Sequence, residues 1–147
     1  MMALVDRALR LNPSFARGWY ISGGVSCWAG QLDRAIEHAE VSLRLSPRVR
    51  IGGTLNVIGG AHFLGRRFAE AVPNLRLAIQ DDPDFPEAHR HLAACLAHMG
   101  QLDEAREIVR RLRRITPRVV PSFMPHRDPE HRALLVAGLR LASAEAT

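Results

Sequence analysis

The chain has 147 residues, of which 47% are apolar and 24% charged, enough for one compact domain with a sizeable core. Its formal net charge is +5 and every basic side chain is arginine, which fits an arginine-rich, GC-biased composition or a nucleic-acid footprint. No apolar run approaches the roughly 20 residues that span a bilayer, Asp6 and Arg7 interrupt the apolar N-terminus where a signal peptide needs an uncharged centre, and two cysteines, Cys27 and Cys95, suit neither a disulfide scaffold nor a four-ligand zinc site. A cytoplasmic chain without membrane contact is therefore expected.

The first stretch, MMALVDRALRLNP, places Leu4, Val5, Ala8 and Leu9 on one helical face. Its closing proline, Pro13, recurs as Pro47, Pro83 and Pro117, at spacings of 34, 36 and 34. The tetrapeptide Gly-Gln-Leu-Asp occurs at 30–33 and again at 100–103, and halfway between stands Gly-Arg-Arg-Phe at 65–68. The period is thus about 35, with Gly65 read as the middle turn and one extra residue before the anchor Phe68.

Each unit divides into two helices. In the first unit, 14–47, Trp19, Ser22, Gly23 and Ser26 precede the turn at Gly30, and Leu32, Ala35, Ile36, Ala39 and Leu43 make an amphipathic stripe after it. The second unit is 48–83 and the third 84–117, where His89, Leu92, Ala93 and Leu96 precede Gly100, and Leu102, Ala105, Val109 and Leu112 follow. Small residues recur where helices must approach, at Gly23, Gly59 and Ala93 and at Ala35, Ala71 and Ala105. Asp84, followed by Pro86 and Glu87, reads as an N-cap with a capping box. Asp33 and Asp103 sit in first turns, where the helix dipole favours negative charge. Pro73 should bend or loosen the second unit's outer helix.

These residues carry a resemblance to tetratricopeptide repeat (TPR) proteins. Trp19, Gly23, Gly30, Leu32, Ala35 and Pro47 match that pattern in the first unit; Leu55, Gly59, Phe68, Ala71, Ala78 and Pro83 in the second; Ala93, Gly100, Leu102, Ala105 and Pro117 in the third. Ser26 and Leu96 stand where the family often has tyrosine, and Arg66 where it has the turn glycine. The resemblance implies an all-α solenoid of antiparallel helix pairs wound into a right-handed superhelix, its array covering 1–117. Residues 1–13 match only a second helix, so the array is expected to begin part-way, as a fragment of a longer protein or from a mis-assigned start. A homodimer through the uncovered helix is the alternative.

After Pro117 the stretch 118–128 is a proline-rich linker, and 129–147 reads as a C-terminal capping helix opened by Asp128 and Pro129. Leu134, Leu135, Leu139 and Leu141 would pack on the last repeat, with Ala-Ser-Ala-Glu-Ala at 142–146 fraying. This tail looks like the end of TPR regions attached to bacterial class III adenylate or guanylate cyclases.

Chemistry is sparse. His91, Cys95 and His98 share a helix face at ligand-compatible spacing, but no fourth ligand is near, and packing with a solvent-facing His98 explains them. Asp81, Asp82 and Asp84 lack the loop a calcium site needs. Asp128, Glu130 and His131 have no nucleophile beside them. No catalytic residue, metal or cofactor is expected. Arg106, Arg110, Arg111, Arg113 and Arg114 make a basic outer helix, for which a solvated face is the simpler reading and nucleic-acid binding unlikely with 5% aromatics. The resemblance implies instead a protein or peptide partner on the concave face, from Arg17, Tyr20, Gly24 and Cys27, from Gly53, Asn56, Gly60 and Phe63, and from Glu87, Arg90, Ala94 and Ala97. Only Asn56 and Arg90 have the chemistry of a clamp for acidic C-termini, so an extended peptide or a helix is the better fit, anchored by Tyr20 and Phe63 and gripped by Arg17, Asn56 and Arg90.

Overall fold

A computed structural model describes residues 2–48 and 51–144. Among the described residues there are eight α-helices and no strand: α1 (Met2–Leu11), α2 (Ala16–Trp28), α3 (Leu32–Leu45), α4 (Gly52–Leu64), α5 (Phe68–Asp81), α6 (Pro86–His98), α7 (Leu102–Ile115) and α8 (Pro129–Ser143). Helices α2/α3, α4/α5 and α6/α7 form antiparallel pairs, α1 packs on α2, and each pair stacks on the next through α3 against α4 and α5 against α6. The first helices of successive pairs also touch, α2 with α4 and α4 with α6, whereas α5 and α7 are tied by the surface ion pair of Arg76 with Glu104 at 2.6 Å. The stack therefore curves with α2, α4 and α6 on its inner side.

Patterning explains this placement. Helix α4, GGTLNVIGGAHFL, has no acidic or arginine side chain and buries residues on every face, as a helix covered on all sides must. Helix α7 lies outside and buries a single stripe, Ala105, Ile108, Val109 and Leu112, opposite its charges. Where α4 crosses α5, a β-carbon on Gly59 would lie 2.6 Å from Leu75 Cγ, so only glycine lets the two backbones close.

The three inter-helix turns are the same length, which corrects the extra residue expected in the middle unit. The left-handed residues are Gly30 (φ 84°), Arg66 (φ 60°) and Gly100 (φ 80°), so Arg66, not Gly65, is the counterpart of the turn glycines. Each turn closes identically: Gly30 N–H donates to the Cys27 carbonyl and Gln31 N–H to Ser26, Arg66 to Phe63 and Arg67 to His62, Gly100 to Ala97 and Gln101 to Leu96. This is the paired bonding that ends helices at a left-handed residue. The long period arises instead between α3 and α4, where six residues, 46–51, connect the helices, against four at 12–15 and 82–85.

Two further expectations change. Helix α5 runs unbroken through Pro73, while the Asn74 side-chain amide donates to the Glu70 carbonyl at 3.1 Å. Asp84 does not cap α6; Phe85 is the N-cap residue, with Pro86 next, and Glu87 pairs with Arg90 rather than closing a capping box. Asp128 does cap α8, accepting from Glu130 N–H at 2.9 Å. The fraying expected over 142–146 does not begin at Ala142, which is buried within α8 and followed there by Ser143; residues 145–147 lie outside the described residues.

The tail decides the shape of the inner face. A further repeat would lay its first helix mainly against α7. Helix α8 instead packs mainly on α6, with lesser contacts to α7 and α4. It crosses α6 with Gly138 against Ala94, so closely that a β-carbon there would sit 2.6 Å from the Ala94 β-carbon.

Candidate partner-binding groove

Equivalent positions of α2, α4 and α6 form the rows of the concave face, and the structure treats them unequally. In α2, Arg17 is exposed and Tyr20 half-buried, with its hydroxyl end close over Gly53. Gly24 has nothing within 4 Å of where a side chain would begin. Cys27 is buried, and burial pushes its thiol up to about 12. Arg17, Tyr20, Gly52, Gly53, Asp81, Asp82 and Phe85 enclose a recess of about 490 Å³ at the groove mouth. Asp81 is fixed there by accepting from Gly52 N–H at 2.8 Å. Asp81, Asp82 and Phe85 lie at the junction of α5 and α6, and only folding brings them to α2.

In α4 the expected anchor Phe63 is wholly buried. Its ring lies 5.8 Å from Phe68 and 6.0 Å from both His91 and His98, inside the core between α4, α5 and α6. It cannot meet a partner, because the three-residue step from Gly60 to Phe63 turns past the inner face onto the interface with α6. Asn56 is half-buried, and its side-chain oxygen accepts from His91 Nδ1 at 2.9 Å, while the His91 ring covers Gly60. Burial, with Arg90 adjacent, lowers His91 to about 4, so it is neutral at pH 7.

In α6 the expected contacts are already taken. Arg90 is buried; its Nε donates to the Val119 carbonyl at 3.0 Å, its Nη2 to the Arg118 carbonyl at 2.9 Å, and it pairs with the half-buried Glu87. Ala94 and Ala97 are buried. The segment 118–127, expected to be a linker, runs along the inner side as a strap from Arg90 to the end of α2, where Arg127 N–H donates to the Trp28 carbonyl at 2.8 Å. Val119, Val120 and Met124 pack on the core. His126 is buried beside His91, His131 and Arg132; burial first, then these neighbours, lower it to about 4.

The metal candidates face three ways. His91 pairs with Asn56, Cys95 Sγ–H donates to the Phe68 carbonyl at 3.3 Å, and His98 Nε2 meets the Leu134 carbonyl at 2.8 Å rather than solvent. No cluster of three metal-type ligands exists among the described residues. On α7, Arg106 reaches Asp103 and the Ala144 carbonyl, so it is part of the tail contact rather than a free basic surface. Arg110 and Arg111 pair with Glu107, and Arg113 and Arg114 lie at the helix end. At the other end Leu4 and Leu11 are 72% and 78% exposed, since among the described residues α1 packs on α2 alone and otherwise meets α3 through the pair of Asp6 with Arg34. No helix among the described residues is long and apolar enough to cross a membrane.

A family model described as tetratricopeptide repeat matches residues 64–121. Over 123 residues the chain is 30% identical to cytochrome c-type biogenesis protein CycH of Rhizobium meliloti (strain 1021), spanning 82% of this chain and 32% of that protein. The chain thus spans about a third of that relative. Among solved structures, MamA is similar at TM-score 0.70 and 20% identity, with 96% of this chain and 84% of that chain covered. TTC0263, a thermophilic TPR protein in Thermus thermophilus, is similar at TM-score 0.72 and 22% identity, covering 96% of this chain and 72% of that one. YrrB, a TPR protein with an unusual peptide-binding site, is similar at TM-score 0.64 and 22% identity, covering 97% of this chain and 76% of that one. The fold is an all-α, TPR-like solenoid.

Proposed function

We propose that the chain is a non-catalytic protein-interaction module that binds an extended peptide or a helix on its inner face, entering at the open mouth beside α2. The observation that carries this is the recess bounded by Arg17, Tyr20, Gly53, Asp81, Asp82 and Phe85. It offers two aromatic side chains, Tyr20 and Phe85, both signs of charge and a floor of glycine main chain, the ingredients of a few strong central contacts. The nucleophile-type groups near the inner face are committed elsewhere: both thiols are pushed up to about 12 and are inert, and His91 holds Asn56. The YrrB likeness adds support of a general kind.

The parent protein is open to two proposals. The tail suggests a regulatory region of a bacterial signalling protein such as a class III adenylate cyclase. The likeness to CycH extends over more of the chain and favours a module serving cytochrome c biogenesis; haem staining of c-type cytochromes in a strain lacking this chain would separate the two. Exposed Leu4 and Leu11 favour a second reading, self-association through α1, which a strictly monomeric sedimentation profile would exclude. The peptide reading is tested by selecting displayed peptides on the immobilised full chain. Recovered peptides should lose at least tenfold in affinity for Tyr20→Ala and for Arg17→Ala. Peptides indifferent to both substitutions, or none recovered, would remove it.

A further inference from the structure

Resting on the groove reading above, we propose that residues 118–127 are an intramolecular stand-in for the partner: the path from Arg90 to Trp28 receives an extended, proline-punctuated, apolar peptide from another chain, and the strap with α8 must move out to admit it.

The strap is held by groups that any peptide possesses. Arg90 grips the carbonyls of Arg118 and Val119, and Trp28 offers a carbonyl to the N–H of Arg127. Such contacts recognise an extended main chain and leave sequence to the side pockets. Those pockets are shallow. Val119, Val120 and Met124 are partly buried, whereas Phe123 between them is 78% exposed. The prolines, Pro117, Pro121, Pro125 and Pro129, hold the strap extended at low entropic cost, as they would a ligand.

The docked strap also carries a built-in penalty. His126 is buried, and its Nδ1 has no hydrogen-bond partner. A buried polar atom left unpaired weakens whatever holds it there. A competing peptide with an apolar residue at that place avoids the penalty. The tether offsets it, because a short linker gives the strap an effective concentration in the millimolar range. Exchange therefore favours a ligand that binds better than the strap or is locally abundant. Helix α8 crosses α6 at Gly138 on Ala94 with no room for a side chain, so a larger residue at 138 displaces the helix and frees the strap attached to it.

The test uses the full chain and a fluorescently labelled peptide of the strap's own sequence, RVVPSFMPHR, followed by anisotropy. Wild type should bind it weakly. Gly138→Leu, which forces α8 away from Ala94, should bind it at least tenfold more tightly, and adding Arg90→Ala should abolish the gain. Should Gly138→Leu fail to fold by circular dichroism, Arg127→Pro, which deletes the N–H donated to Trp28, replaces it with the same expected direction. Either folded variant binding no more tightly than wild type, or a gain that survives Arg90→Ala, overturns the proposal. Selected peptides that still depend on Tyr20 in that case would leave the groove reading standing and remove the strap alone.

Discussion

Gly24, Gly60 and Ala94 occupy the same place on three stacked helices, and each meets a different fate. Nothing lies within 4 Å above Gly24, the His91 ring covers Gly60, and α8 covers Ala94 through Gly138. The repeat pattern makes these positions equivalent, and a chain returning on itself makes them different. The first repeat keeps an open inner face, while the third has its face occupied by the strap and α8, which follow it in the chain. An unfilled position in a repeat array is thus a statement about the rest of the chain as much as about the repeat.

Acid should break this contrast most strongly. His91 and His126 have folded values of about 4, below the 6.5 of a free imidazole. Stability from keeping them neutral is fully present above pH 6.5 and is lost as pH falls through 4. The groups facing His126 are His91, His131 and Arg132, all lowering it, with Glu87 opposing. Between about pH 7 and pH 4.5 the covered third repeat and tail should lose roughly 4 kcal/mol, read by urea unfolding, and His126→Gln should flatten the slope. The partly exposed His38 of the first repeat, lowered mainly by burial, should add little to that slope.

The same substitution in the two regions should give opposite signs. Gly138→Leu drives a side chain into Ala94 and should cost about 3 kcal/mol. Gly24→Leu fills open space on a helix and should stabilise by about 0.5–1 kcal/mol. A comparable loss at both sites in urea melts would remove the distinction. Arg90→Ala, which strands the Arg118 and Val119 carbonyls, should cost about 2 kcal/mol and raise amide exchange along the strap. Arg17→Ala, at an exposed site of the open face, should change stability by less than about 0.5 kcal/mol.

The smallest effect concerns the turns. Arg66 holds φ at 60°, a conformation that costs an L-residue about 1 kcal/mol, so Arg66→Gly should raise stability by about that amount. Gly30→Ala and Gly100→Ala should lower it by about 1 kcal/mol. Equal responses at the three turns would mean they are not the equivalent motif their hydrogen bonds describe.

Much of the fold is legible in local chemistry. Period-3.6 apolar stripes place the outer helices α3, α5 and α7, the recurring small and apolar residues between them place α2, α4 and α6, prolines mark helix ends, and Gly30 and Gly100 mark turns, because these signals act between residues a few positions apart. At the middle turn a reading of glycines alone stops at Gly65, one residue short, because glycine is the usual bearer of positive φ; the family pattern already set Arg66 at the turn glycine's place, and Arg66 adopts it. Phe68, like Leu32 and Leu102, comes two residues after its left-handed position, and that spacing is the signal that marks Arg66. Of the site, Arg17, Tyr20 and Gly24 lie where helical register puts them. Phe63 does not, since register alone cannot say whether a ring beside the inner face turns toward solvent or toward the next helix.

The sequence by itself determined the helix pairs, their order and the inner row of residues, since periodicity and turn chemistry are local and repeat. The tertiary structure alone decided which part of that row is open. Residues 118–144 carry ordinary signals for an extended segment and a capped helix, and nothing within them states which surface they cover. That choice rests on contacts far apart in the chain: Arg90 with Val119, Trp28 with Arg127 and Ala94 with Gly138. Each is a matter of distance in space, and only the folded chain sets it.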